Sequence, residues 1–220
     1  MINRKHFAAV GAAVAALGVL SVGPADADTF VPLPGGELVQ TLSDGTVVTV
    51  RLVGESATIS PSMGATPVHR NAWVSGSTQI EISGARGEVG GTVFPGYTVG
   101  CQVNIVGGGA SGGVQGSVTG EGNGNGSVGT SGGSNLSLGP GQAKSFYILD
   151  REQADDFGAE SHKVYNYFAG NSGSVTWSDE TIGLNGCAGY AQARAFVSVE
   201  VRTESVTSMV TLWGHPFSIG

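Results

Sequence analysis

Apolar and polar side chains alternate singly along most of this sequence, the two-residue period of a β-strand with one buried face. The clearest run is AGYAQARAFVSVEVRTE. Ala193, Ala195, Val197, Val199 and Val201 fall on one face, and Arg194, Ser198, Glu200 and Arg202 on the other. GYTVGCQVNIV repeats the pattern, setting Tyr97, Val99, Cys101, Val103 and Ile105 against Thr98, Gln102 and Asn104. In AWVSGSTQIEISG, residues 72–84, Ile80 and Ile82 alternate with Gln79 and Glu81. LVQTL, SDG and TVVTVRLV predict a β-hairpin over 38–53 with Asp44-Gly45 in its turn. SFYILD, YNYFAG and SVTWSD predict further short strands, and SVTSMVTLWG closes a last hairpin. The acidic insertion REQADDFGAESHK, residues 151–163, is the one candidate helix. Short strands spaced this evenly predict an all-β chain built as a β-sandwich of roughly immunoglobulin size.

The stretch GGVQGSVTGEGNGNGSVGTSGG, residues 112–133, carries one charged residue, Glu121, and admits two readings. Gly/Ser-rich segments of this length form flexible linkers. Linkers have no reason to keep a period, yet this one does. Val106, Ala110, Val114, Val118, Val128, Leu136 and Leu138 all occupy even positions. Ser111, Gln115, Ser117, Thr119, Glu121, Ser127, Ser131, Asn135 and Ser137 all occupy odd ones. Folding at Gly124 brings Val118 opposite Thr130 and Ala110 opposite Leu138, so each face keeps its polarity across an antiparallel pair. The arms then run from Val106 to Gly120 and from Ser127 to Leu138, beyond the roughly 9–11 residues a tilted strand needs to cross a bilayer. GEGNGNG forms the tip, where Asn and Gly tolerate positive φ. Phe94, Tyr97, Phe146 and Tyr147 lie at the base of the arms, where an interfacial aromatic girdle belongs.

The N-terminus sets the compartment. Arg4, Lys5 and His6 precede the apolar run FAAVGAAVAALGVLSVG, and Ala25 and Ala27 form a small-x-small cleavage pattern. Residues 1–27 therefore read as a secretory signal peptide. Removing them lowers Lys plus Arg from 10 to 8 and Asp plus Glu from 17 to 16, so the net charge goes from −7 to −8. Such acidity argues against nucleic acid, which needs clustered cations. Charged residues make up 12% of the chain, about half the usual share, while glycine numbers 38. In an exported chain Cys101 and Cys187 read as a disulfide, with two buried free thiols as the other reading. No CxxC occurs, and His69, His162 and His215 are far apart, so neither a metal nor any other cofactor is expected. No Cys-His pair is readable, and the three histidines have no nearby acid-plus-nucleophile pattern, which argues against an enzyme.

LPGGELVQTLSDGTVVTVRLVGESA, TPVHRNAWVSG, GYTVGCQV and CAGYAQARAFVSVEVRTESVTSMVTLWGHPFSI resemble the MspA family of mycolata outer-membrane porins, closest to its nocardial-type cell-wall channel subunits. The C-terminal Trp213-Gly214-His215-Pro216 run is the most specific part of the likeness. The resemblance implies a goblet-shaped, octamer-like assembly in the outer membrane of a mycolic-acid envelope. Its lipid would surround a barrel to which each chain gives one long hairpin, either as a homo-oligomer or beside a paralogous subunit. Residues 28–100 and 144–220 would form the rim β-domain and 101–143 the pore-forming hairpin. Ions, with cations favoured, and small hydrophilic solutes would diffuse through it. Glu121, Asn123 and Asn125 would ring the constriction, and Ser111, Gln115, Ser117, Thr119, Ser127, Ser131 and Asn135 would face the lumen. The paired tip aspartates of the family are not reproduced here. A secreted β-sandwich binding module with a Gly-rich linker is the alternative.

Overall fold

The computed structural model describes residues 28–61, 68–103, 134–138, 141–154, 156–158 and 160–220. The described residues form strands and no helix, arranged as two facing sheets and a separate two-stranded hairpin. In the first sheet β1 (Thr29–Pro32) and β2 (Gly36–Thr41) both pair with β3 (Val47–Pro61), which pairs with β4 (Arg70–Ser83). The second sheet begins with β5 (Gly90–Cys101), and the next described strands in the chain are β6 (Ser134–Ser137) and β7 (Ala143–Tyr147). Next come β8 (Arg151–Ala154), β9 (Glu160–Lys163) and β10 (Asn166–Ala169). The chain ends with β11 (Ser172–Asn185), β12 (Ala191–Arg202) and β13 (Thr207–Ser218). β11 joins the first sheet beside β4 and carries β6 on its far end, in parallel. The second sheet runs β5-β12-β13, with β7 and β10 sharing the other edge of β5.

The alternation read from sequence sorts side chains into the sandwich. Val48, Val50, Leu52, Val74, Ile80 and Ile82 from one sheet meet Val93, Tyr97, Val99, Val197, Val199 and Val201 from the other, all essentially without solvent contact. The predicted hairpin over 38–53 is present, with Thr41 opposite Val47 and Gly45 at φ +85° in the turn. Asp44 accepts bonds from the Thr46 amide (2.9 Å) and the Thr203 hydroxyl (2.8 Å), which hold its carboxyl below the usual range. The second of these clasps the β2–β3 turn to the β12–β13 turn.

Two expectations change. Residues 151–163 form a hairpin rather than a helix: Arg151 pairs with Lys163 and Ala154 with Glu160. Gly158, at φ +79°, supplies the turn that an L-residue would strain to make. Extended arms also let the chain leave β5 at Tyr147 and return beside it at Asn166. Tyr97 is fully buried between the sheets and accepts a 3.3 Å bond from Trp177 Nε1, and Phe146 pairs opposite it on the inward side. Neither can join an interfacial girdle.

Bulges fall along one line through the sandwich. Gly54 and Glu55 are inserted against Gly76 in β3, Ser178 and Asp179 against Ser75 in β11, and Gly214 and His215 against Ala195 in β13. An extra residue reverses the side-chain parity of the remainder of its strand. In β3 the buried set changes from Val48, Val50 and Leu52 to Glu55 and Ala57, so a carboxylate is turned into the core.

Candidate functional site

The described residues that flank the glycine-rich segment gather at one root on the domain. β5 and β7, antiparallel neighbours from Gly96↔Tyr147 to Gly100↔Ala143, both run to this end. Cys101 and Cys187 are bonded there, with Cα atoms 5.9 Å apart. Their bridge closes a loop of 86 positions, for which chain-entropy arithmetic gives about 4–5 kcal/mol. Backbone bonds complete the clamp: Ala188 N to Val103 O (2.9 Å), Gln102 N to Tyr190 O (2.9 Å) and Gly141 N to Cys101 O (3.1 Å). The returning chain enters as β6, pairing Ser134 with Ile182 and Ser137 with Asn185. The described residues on either side of 104–133 are thus both bonded to the single stretch 182–190.

Leu138, expected on the apolar face of the second hairpin arm, is instead 4% exposed in the core. Residues 134–138 therefore belong to the sandwich, because β11 offers an open edge and the core a place for Leu138. Asn135, expected to face the lumen, lies opposite Gly183 in β6. Glu121, Asn123, Asn125, Ser111, Gln115, Ser117, Thr119, Ser127 and Ser131 lie outside the described residues, as does the 1–27 leader.

Beside the root, on the outer face of the second sheet, is an open groove of about 750 Å³. Gln102, Gln142, Tyr190, Gln192, Arg194 and Trp213 line it. The Arg194 guanidinium lies 5.2 Å from the Trp213 ring centre, and its Nε donates to Gly214 O at 2.8 Å. Rings then cross the sheet in a belt: Trp213–Phe196 (5.6 Å), Phe196–Tyr147 (6.0 Å), Tyr147–Phe94 (5.6 Å) and Phe94–Tyr165 (5.6 Å). Gly96 makes the belt possible, since a Cβ there would overlap both the Phe196 ring and the Phe146 carbonyl oxygen. Hydroxyl pairs flank it, Thr98–Ser145 at 2.7 Å and Ser198–Thr211 at 2.9 Å. Phe94 and Tyr147 were legible as surface aromatics; Trp213, Phe196 and Arg194 join them only through register.

Glu55 escaped sequence reasoning altogether, because nothing local marks the bulge that inverts it. It is 2% exposed, and among the described residues neither carboxyl oxygen has a hydrogen-bond partner. Burial raises its pKa from 4.5 to about 7. The room it occupies exists because residue 214 is glycine: a Cβ there would sit 2.9 Å from Glu55 Oε2. Among the described residues no group of three His, Cys, Asp or Glu side chains is placed to hold a metal ion.

The MspA family model matches residues 44–218. A search of curated proteins returns no match.

Proposed function

This chain belongs to the MspA family, and on that premise we propose that it lends one β-hairpin to a cation-favouring channel across a mycolic-acid outer membrane. The family is one of outer-membrane porins whose subunits form oligomers, so the chain is a porin subunit rather than an enzyme or a secreted binding module. The finer reading rests on one observation. A segment with strand-like alternation in its sequence, residues 104–133, is flanked on both sides by residues bonded to the same stretch, 182–190. An excursion that starts and finishes at one place and keeps a two-residue period is what a long hairpin requires.

A lone hairpin exposes edge N–H and C=O groups that lipid cannot satisfy, so membrane passage demands closure with neighbouring hairpins. Val114, Val118 and Val128 then face lipid, while Ser111, Gln115, Ser117, Thr119, Ser127 and Ser131 keep the lumen wet. Glu121 repeats around the ring at the tip, with Asn123 and Asn125 beside it. A ring of carboxylates draws cations and repels anions by its field, leaving small hydrophilic solutes to pass by size. The ring is octamer-like, formed by this chain alone or with a paralogous subunit. The Cys101–Cys187 bridge supports placing the chain with the nocardial-type branch.

Reversal potentials in a planar bilayer under a KCl gradient test the reading. Glu121→Gln should lose most of the cation preference at a conductance of the same order. A variant as cation-selective as the parent would remove Glu121 from the constriction.

A further inference from the structure

The two-stranded β8–β9 hairpin branches from one edge of the second sheet, and the groove on the outer face of that sheet has its Trp213 end on the edge strand opposite, β13. The chain leaves the open edge of β5 after Tyr147, opposite Gly96, and returns at Asn166, opposite Val93. Between these points β8 and β9 pair only with each other. Arg151 Nη1 donates to Asn166 Oδ1 at 2.8 Å, and His162 Nδ1 meets Asp150 Oδ1 at 2.7 Å, so the base of the hairpin is fixed. Its arms reach about 13 Å from there, at 3.3 Å per residue. A two-stranded ribbon is marginal by itself in water. At its tip Phe157 is 95% exposed beside Asp156. An exposed phenylalanine next to an acid, on a projecting ribbon, has the form of an anchor.

The groove is its complement in chemistry. Trp213 is 46% and Tyr190 51% exposed, and Arg194 has no acidic partner among the described residues. The chain as a whole carries an excess of carboxylates, so an isolated, ring-stacked guanidinium stands out. Aromatic and Arg side chains ringed by hydroxyl pairs are the make-up of an interface centre with a polar rim. A lipid-facing band would not carry Gln102, Gln142 and Gln192.

Position decides which molecule supplies the anchor. Trp213 pairs with Phe196 and Phe196 with Gly96, so the Trp213 end of the groove stands level with the base of the hairpin, on the opposite edge of the sheet, while the rest of the groove runs over β12 and β5 toward Gln142. Within one copy the Phe157 ring is not seated, being 95% exposed. A rotation about an axis running along the strands leaves height unchanged, so it carries the hairpin of one copy to the groove of the next. A head-to-tail contact of this sort gives a ring when the rotation closes on itself, as the oligomeric porin reading requires.

We propose that the Asp156–Phe157 tip of one copy seats in the Trp213–Arg194 groove of its neighbour, Phe157 against the rings and Asp156 on the guanidinium, and that this contact repeats around the porin ring. The proposal rests on the oligomeric reading above and adds which surfaces meet.

Photocrosslinking tests it directly. A benzoyl-phenylalanine is placed at position 157, and the protein is co-assembled in detergent with ¹⁵N-labelled wild-type chain and irradiated. The expected product is a mixed-isotope dimer whose linked peptide contains Tyr190–Arg194 or Trp213. Links confined to one chain, to detergent or lipid, or to another surface overturn the proposal while leaving the porin reading intact. A wild-type chain that stays monomeric overturns both. As a second arm, Phe157→Ala should weaken assembly about thirtyfold, the cost of a hot-spot aromatic. Asp156→Arg and Arg194→Asp should each disrupt assembly, and the double exchange should restore it. Unchanged assembly in all three single variants would also defeat the assignment. Phe157 and Asp156 lie at an exposed turn, so these variants keep the fold.

Discussion

Glu55→Gln removes an ionisable group from the core while keeping its shape, which isolates what burial of that carboxyl does to stability. In the folded chain its pKa stands near 7 against 4.5 when free. At about 1.4 kcal/mol per pH unit, the full difference is about 3 kcal/mol. The sign depends on which state holds the proton. Below pH 4.5 both folded and unfolded chains are protonated at Glu55, and nothing is lost. Between 4.5 and about 7 the unfolded chain releases the proton and the folded chain keeps it, so stability declines as pH rises. Above that the loss is constant. The substituted glutamine would bury an unpaired amide, but at the same cost at every pH. The slope therefore discriminates, not the absolute stability. For a chain of this size 1 kcal/mol moves the midpoint by about 2–4 °C. Wild-type melting should accordingly fall roughly 6–12 °C relative to Glu55→Gln between pH 4.5 and 8. Near-UV circular dichroism of the Trp177–Tyr97 pair reports the transition, at one protein concentration because assembly ties stability to mass action. Parallel curves for the two proteins would show that Glu55 ionises freely in the folded state and would refute the reasoning.

Cys101→Ser with Cys187→Ser should cost about 4–5 kcal/mol, read as a lower denaturation midpoint that reduction of the wild type reproduces. Gly96→Ala forces a Cβ into the Phe146 carbonyl and the Phe196 ring, and should destabilise by about 1–3 kcal/mol while lowering the near-UV aromatic signal. Val118→Arg should abolish insertion into liposomes, whereas Ser117→Arg should insert and shift reversal potentials toward anions. A lipid-face charge costs roughly 2–4 kcal/mol at the bilayer midplane and a lumen charge stays hydrated. Equal behaviour of that pair would reverse the assignment of faces.

Much of the sandwich was legible without coordinates. Alternation in β12 and in β4 named the buried side of each strand correctly, and Asp44-Gly45 marked its turn. Two cysteines leave only one intramolecular pairing. These features are local: a two-residue period, a positive-φ glycine and a count of thiols need no knowledge of neighbours. The misreadings share a cause as well. REQADDFGAESHK carries helix-tolerant residues, and only the need to leave and rejoin one edge of β5 makes it a ribbon. The sequence pattern continues smoothly through Leu138, yet β11 presents an open edge that takes residues 134–137 as a parallel strand and draws Leu138 inside. Alternation put Tyr97 on the apolar face of its strand, but its place in an interfacial girdle fell once the odd face of β5 met the opposite sheet.

Residue order alone is enough to establish an all-β chain and a segment keeping strand parity through its glycines, and the bond between its two cysteines is settled by the structure. Where that parity reverses is fixed by the pairing of strands. An inserted residue in β3 turns Glu55 inward, and another in β13 puts Gly214 above it, because a bulge is defined against the strand opposite rather than within its own sequence. The same holds for the belt from Trp213 to Tyr165, whose members are scattered over β5, β7, β12, β13 and the loop before β10. Register alone brings them to one height, and register is a property of pairs of strands.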